Sequence, residues 1–119
     1  MEMFDSQLEV DGDAAWIHLT GSIDFYNTSS FEQVLNDNFE SGRLKLGLDF
    51  SELTSIDSSG LTVLIEALHK YEAADGEIII TGLKNNVRQL FTLTRLEDLF
   101  NVFYEKTAAR AYFKTGKKE

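Results

Sequence analysis

The sequence of 119 residues contains no cysteine and only two histidines, His18 and His69. Without thiols the chain forms neither a disulfide framework nor a thiolate metal site, and two histidines offer little for metal binding. We therefore predict no metal and no cofactor. The absence of cysteine also fits a reducing compartment, so the expected location is the cytoplasm.

Long apolar runs are also missing. No stretch approaches the roughly 20 apolar residues that span a bilayer, and the N-terminus has neither a basic start nor an apolar core of signal-peptide length. These absences predict a protein that is not exported by a classical signal and has no membrane partner.

Basic residues are scarce, since 11 Lys and Arg face 20 Asp and Glu, for a formal charge of −9. Such a charge repels phosphate backbones and anionic lipid surfaces, which argues against nucleic acid as a partner. The only basic cluster runs from Lys114 to Lys118. We expect residues 114–119 to be a solvated, disordered tail.

The chain does have enough apolar residues, 43% with 12% aromatic, for one core. We therefore predict a single domain over residues 1–113. Asp11-Gly12-Asp13 is typical of a hairpin turn. Alternating patterns predict strands over 4–10, 14–20, 44–50, 77–81 and 101–104, and helical spacing predicts helices over 29–40, 58–74, 86–93 and 107–113.

The resulting order, ββαβαβαβα, predicts an α/β fold. Parallel strands joined by crossover helices, with an N-terminal β-hairpin at one edge, make a mixed β-sheet. In such sheets the functional surface tends to lie at the carboxyl ends of the strands. Asp24 and the Asp57–Gly60 turn both fall there, so we expect these two segments to meet.

The run Ser55-Ile56-Asp57-Ser58-Ser59-Gly60-Leu61 is the most informative part of the sequence, because it indicates a strand, a tight turn and a helix start. A phosphate at a helix N-terminus meets free N–H groups and a favourable dipole, so Ser58 is a candidate phosphoacceptor. The alternative is structural: Asp57, Ser58 or Ser59 is simply the N-cap that these residue types favour.

Three elements together resemble a STAS domain of the anti-sigma factor antagonist family. The first is Gly21-Ser22-Ile23-Asp24 with Asn27 and Phe31, similar to the family pattern Gly-x-x-Asp-x-x-Asn-x-x-x-Phe. The second is Leu48-Asp49-Phe50 leading to the Asp57-Ser58-Ser59-Gly60 phosphorylation loop. The third is the strand over 76–81 followed by Val87-Arg88-Gln89-Leu90-Phe91 and Leu96.

The resemblance implies a partner-switching protein and not an enzyme. In that family the serine matching Ser58 is phosphorylated by an anti-sigma factor that is also a serine protein kinase. The unphosphorylated form binds this kinase and frees a sigma factor, and a metal-dependent serine protein phosphatase resets the switch. The residues expected to contact the partner are Asp24, Asn27, Asp57, Ser59, Gly60, Leu61 and Thr62.

Other hypotheses stay open at this point. A STAS module could control a process other than sigma-factor activity through the same chemistry. A response-regulator receiver would use Asp57 as its phosphoacceptor, but the acidic pair that holds its cation is missing, since Thr20-Gly21-Ser22 follows the second strand. Hydrolytic catalysis is disfavoured because no Gly-x-Ser-x-Gly elbow is present and neither histidine is expected at the turn. Leu61 is equally compatible with the core.

Overall fold

The structure is a computed structural model that describes residues 3–115. Its strands are β1 (Asp5–Asp11), β2 (Ala14–Ile23), β3 (Lys45–Ile56), β4 (Glu77–Thr81) and β5 (Asn101–Phe103). Its helices are α1 (Thr28–Glu40), α2 (Ser58–Ala73), α3 (Asn85–Leu93), α4 (Leu96–Leu99) and α5 (Lys106–Thr115). None of the helices described is both long enough and apolar enough to cross a bilayer.

The strands form one mixed sheet in the order β1-β2-β3-β4-β5. β1 and β2 are antiparallel and joined at Gly12-Asp13, whereas β2 to β5 run parallel. Gly12 has a φ of +64°, which the tight hairpin requires and glycine adopts without a steric penalty. The predicted α/β class, with its antiparallel hairpin at the edge of a parallel sheet, is confirmed.

This topology excludes the receiver hypothesis. Receivers of the CheY type have a parallel sheet with strand order 2-1-3-4-5. Here β1 lies at the edge and runs antiparallel to β2. The interpretation of Asp57 as a receiver phosphoacceptor is therefore wrong.

Side chains alternate between two faces of the sheet, as the period of a strand requires. Ile17, Leu48 and Ile80 occupy one register row and face α1, α2 and α3, where the larger core lies. The neighbouring row contains Trp16 and Ile79 and faces α5. The fold is thus a sheet sandwiched between helices, with most of the burial on the α1–α3 side.

Two strands extend further than their sequence patterns predict. β2 runs to Ile23 instead of residue 20, and β3 runs to Ile56 instead of residue 50. Polar residues after Phe50 break the apolar alternation, yet the backbone keeps pairing with β2 through two register shifts. The extra length matters because it carries both strand ends beyond the rest of the sheet.

The C-terminal part differs in two details. The four-residue α4 was not predicted, and it follows Arg95, which has a left-handed φ of 62°. Helix α5 continues through Lys114 and Thr115, two residues past the helix end predicted at residue 113. Residues 116–119 of the predicted tail lie outside the described residues.

A polar network fastens α5 to the sheet. Lys106 Nζ lies 3.0 Å from Asp49 Oδ2, and Arg110 Nη2 donates to Glu9 Oε1 at 2.9 Å. The His18 ring lies between the two carboxylates, 2.8 Å from each. Burial raises the pKa of Asp49, but hydrogen bonds from the Ser51 N–H, His18 and Lys106 outweigh it and lower the pKa to about 2. Hydrogen bonds from Arg110 and His18 also lower the Glu9 pKa to about 2.

These depressed pKa values predict acid-sensitive stability. A carboxylate with a lowered folded-state pKa stabilises the fold above its unfolded pKa, and the contribution disappears as the pH falls toward the folded pKa. For the buried Asp49 the contribution is about 2 kcal/mol at neutral pH. The free energy of unfolding of the wild type, measured by urea denaturation, should therefore fall by that amount between about pH 4.5 and pH 2. Asp49→Asn should show a shallower loss, and an unchanged slope would refute this role of Asp49.

Candidate functional site

The candidate site lies where the two longest strands end side by side. Ile23 and Ile56 are paired in register, and the Asp57 N–H donates to the Ile23 carbonyl at 3.1 Å. The loop after β2 and the start of α2 are therefore in direct contact. The segments that contain Asp24 and Asp57 thus lie side by side, as their positions at the ends of neighbouring strands predicted.

Asp57 is the N-cap of α2. Its Oδ1 accepts hydrogen bonds from the Ser59 N–H at 3.0 Å, the Gly60 N–H at 3.2 Å and the Ser59 hydroxyl at 2.5 Å. The hydroxyl of Ser59 is the main cause of a lowered Asp57 pKa. The structural alternative thus holds for Asp57, and it leaves the neighbouring serine free for another role.

Ser58 is the first residue of α2 and is exposed to solvent. Within residues 3–115 its hydroxyl makes no hydrogen bond, while its carbonyl accepts one from the Thr62 hydroxyl at 3.0 Å. Thr62 is also exposed, one turn further along α2. A reactive group approaching along the N-terminal end of α2 therefore meets an unobstructed Ser58 hydroxyl.

Two of the residues predicted to contact the partner, Gly60 and Leu61, are buried. Leu61 is only 6% exposed and belongs to the larger core, so the surface around Ser58 does not include its side chain. Gly60 is buried, and a Cβ added there would lie 2.7 Å from Ile56 and 2.8 Å from Ile23. The missing side chain at Gly60 lets α2 begin directly against the two strand ends, which positions Ser58 at the rim.

Asp24 and Asn27 build the adjoining turn. Asn27 Oδ1 accepts from the Asp24 N–H at 2.8 Å, and Asn27 Nδ2 donates to the Ser22 carbonyl at 2.8 Å. Asp24 Oδ1 accepts from the Tyr26 N–H at 2.9 Å. Both side chains hold the loop backbone, and both remain partly accessible.

The two loops are also joined by a side chain, because the Phe25 N–H donates to Asp57 Oδ2 at 3.1 Å. One carboxylate thus caps α2 and holds the β2–α1 turn. This link was not predictable from the sequence, since nothing in the spacing shows which backbone N–H faces the second oxygen of Asp57.

An exposed aromatic pair in the same turn was also not predicted from the sequence. Phe25 is 73% exposed and Tyr26 is 84% exposed, and their ring centroids lie 5.7 Å apart. The available signal was their position, since two aromatic residues lie between Asp24 and Asn27 just beyond a strand end. Residues there do not reach the core, so their rings extend into solvent.

Removing the cap should cost stability. We expect Asp57→Ala to lower the free energy of unfolding by about 1 kcal/mol, because it frees the Ser59 and Gly60 N–H groups at the start of α2. Ser58→Ala is the matched control, since the hydroxyl that it removes has no described partner. Urea denaturation of both variants decides the point, and equal stability would contradict the capping role.

Comparison with known proteins places the chain in a family. A model of the STAS domain matches residues 5–109. The chain is 30% identical over 98 residues to BtrV, a Bordetella bronchiseptica protein described as an anti-sigma factor antagonist, covering 82% of this chain and 84% of that protein.

Two solved structures share the fold. An anti-sigma factor antagonist from Mycobacterium paratuberculosis superimposes with a TM-score of 0.85 at 19% identity, covering 94% of this chain and 95% of the other. The Bacillus cell fate determinant SpoIIAA in its phosphorylated form gives a TM-score of 0.69 at 22% identity, covering 90% and 98%. The fold and the family match agree, and this chain belongs to the STAS domain family.

Proposed function

We propose that this chain is an anti-sigma factor antagonist that switches partners through Ser58. The unphosphorylated form binds an anti-sigma factor that is also a serine protein kinase, and this binding frees a sigma factor. Phosphorylation of Ser58 releases the antagonist, and a metal-dependent serine protein phosphatase resets it. The chain acts as the substrate of these enzymes and catalyses nothing itself.

The observation that carries this proposal is the state of the Ser58 hydroxyl. It is exposed, has no hydrogen-bond partner in the described residues, and lies at the first position of a 16-residue helix. Asp57 performs the capping, so Ser58 is not needed to hold the helix end. A kinase can therefore engage this hydroxyl without dismantling the fold.

The surroundings explain how a phosphate would act. Phosphorylation adds a charge of about −1.5 to −2 at neutral pH. The helix dipole favours such a charge in the free protein, while Asp57 keeps the Ser59 and Gly60 N–H groups. In a complex the same charge would face the partner beside the carboxylates of Asp57 and Asp24, so it would oppose an acidic or apolar partner surface.

The relatives support the general role. BtrV is described as an anti-sigma factor antagonist, and a protein 27% identical to this chain over 86 residues is the anti-sigma-B factor antagonist of Staphylococcus aureus. The Asp57-Ser58-Ser59-Gly60 loop of this chain is complete. We extend the role to this chain on the geometry of that loop.

The test is phosphorylation in vitro. Each histidine-kinase-like anti-sigma factor encoded by the source organism is purified and incubated with ATP and the antagonist, and mass spectrometry maps the product. We expect one phosphate on Ser58, retained in Ser59→Ala and absent from Ser58→Ala.

Labelling that survives in Ser58→Ala, or none with any of these kinases, would contradict the proposal. The kinase that modifies Ser58 is then tested for binding to each sigma factor. If the kinase binds a sigma factor, the switch controls transcription. If it binds none, the switch controls a process without a sigma factor.

A further inference from the structure

We infer that Phe25 and Tyr26 form the apolar anchor of the partner-binding surface and set which partner this chain recognises. The inference rests on the proposed function, because the partner is the anti-sigma factor that phosphorylates Ser58. It goes further by assigning affinity and selectivity to two residues that the phosphorylation chemistry does not use.

The exposure of the pair is unusual within this molecule. Large aromatic side chains gain most from burial, and contiguous exposed apolar surface marks interaction sites. In residues 3–115 this is the one ring–ring contact whose two members are both exposed. Tyr104, also exposed, is partly covered by the Arg88 guanidinium, 4.7 Å from the ring centroid. Leu93 is 74% exposed but stands on a different element, at the end of α3.

The turn that carries the pair is held rigidly. All four backbone N–H groups over residues 24–27 are satisfied: those of Asp24, Phe25 and Tyr26 by side-chain oxygens, and that of Asn27 by the Asp24 carbonyl at 3.1 Å. A preorganised turn loses little entropy when its side chains enter a pocket, so rigid aromatic residues there are efficient anchors.

The same contacts connect the pair to Ser58. Asp57 Oδ2 accepts from the Phe25 N–H, and Oδ1 caps the helix turn that starts with Ser58. A partner that reaches the Ser58 hydroxyl therefore lies against the aromatic turn as well. The carboxylates of Asp24 and Asp57 bind the backbone of the same turn, and the whole chain carries a charge of −9. The complementary partner surface is an apolar pocket, which would not accommodate an added charge on Ser58.

Selectivity follows from position. Phe25 and Tyr26 lie between Asp24 and Asn27, and it is the side chains of Asp24 and Asn27 that hold the turn backbone. The turn conformation is thus independent of the residues at positions 25 and 26. These two side chains are free to match one partner, while the loop around Ser58 supplies the shared chemistry.

The test measures binding of the purified kinase that phosphorylates Ser58 by isothermal titration calorimetry. Phe25→Ser and Tyr26→Ser should each raise the Kd at least tenfold, and the double variant more than a hundredfold. Leu93→Ser is the matched control, because it removes an equally exposed apolar side chain elsewhere, and its Kd should stay within twofold of wild type. Thermal melts of all variants should match the wild type.

The outcomes separate the two proposals. If the kinase binds wild type and discriminates against Ser58→Glu, but binds Phe25→Ser and Tyr26→Ser like wild type, the anchor is refuted and the switch stands. If the aromatic variants lose binding while Ser58→Glu does not, the anchor stands and the switch fails. If none of the purified anti-sigma factors binds wild type, both proposals are overturned.

Discussion

Ser58→Glu is expected to bind the anti-sigma factor kinase at least a hundredfold more weakly than wild type, whereas Ser58→Ala binds it normally. The glutamate adds a negative charge beside Asp57 and near Asp24 at the rim. Juxtaposed like charges or a desolvated charge at an interface cost several kcal/mol, and a hundredfold loss corresponds to about 2.7 kcal/mol. Phosphoserine carries more charge, so its effect should be larger still.

The fold should not change in either variant. A negative charge at the first position of α2 interacts favourably with the helix dipole, so Ser58→Glu should melt within a few degrees of wild type. His69→Glu is the charge-matched control, since His69 is exposed further along α2. Calorimetric titration and thermal melts decide this prediction. Equal affinity of Ser58→Glu and Ser58→Ala, or a large drop in melting temperature for Ser58→Glu, would contradict release by local electrostatics.

Gly60→Val should cause the largest loss of stability among the site variants. The added Cβ would lie within 3 Å of the buried side chains of Ile23 and Ile56. Because both side chains are buried in the core, we expect α2 to move away from the strand ends. Such overpacking costs about 1–3 kcal/mol, and we expect the upper end, near 3 kcal/mol. For a domain of this size that lowers the melting temperature by roughly 10 °C.

Thr62→Val is the control that separates the effect of the buried position of Gly60 on stability from the effect of introducing valine into α2. It introduces the same side chain two residues later in α2, at an exposed site, and surface changes of this kind stay within about 0.5 kcal/mol. Urea denaturation gives both values. The kinase should also phosphorylate Gly60→Val poorly, because Ser58 leaves its place when α2 shifts. A Gly60→Val protein as stable as Thr62→Val would show that the close approach of α2 to the strands is not required.

The sequence predicts most of the fold because its apolar periodicities are clear. The hairpin follows from Asp11-Gly12, and the helices from regular apolar spacing. The pattern fails after Phe50, where β3 continues through polar residues. In that segment the strand conformation is maintained by backbone pairing with β2 and not by burial of alternate side chains. Helix α4 is too short for periodicity to reveal.

The location of the site was predictable from the sequence, but the structural role of each of its residues was not. Strand ends indicate that the Asp24 and Asp57 segments meet, yet only the geometry shows that Asp57 holds both loops. Leu61 fits a surface or a core role by spacing, and its 6% exposure decides for the core. The polar contacts of His18 with Glu9 and Asp49 depend on strand register, which the sequence does not specify residue by residue.

In the proposed switch, phosphate on Ser58 and binding to the anti-sigma factor exclude each other. The most direct measurement is the phosphate occupancy of Ser58, by mass spectrometry, in the kinase-bound and free pools of the protein from its own cells. We expect an unphosphorylated bound pool and a free pool enriched in phosphoserine at position 58. Equal occupancy in the two pools, or phosphate on another residue such as Asp57, would contradict it.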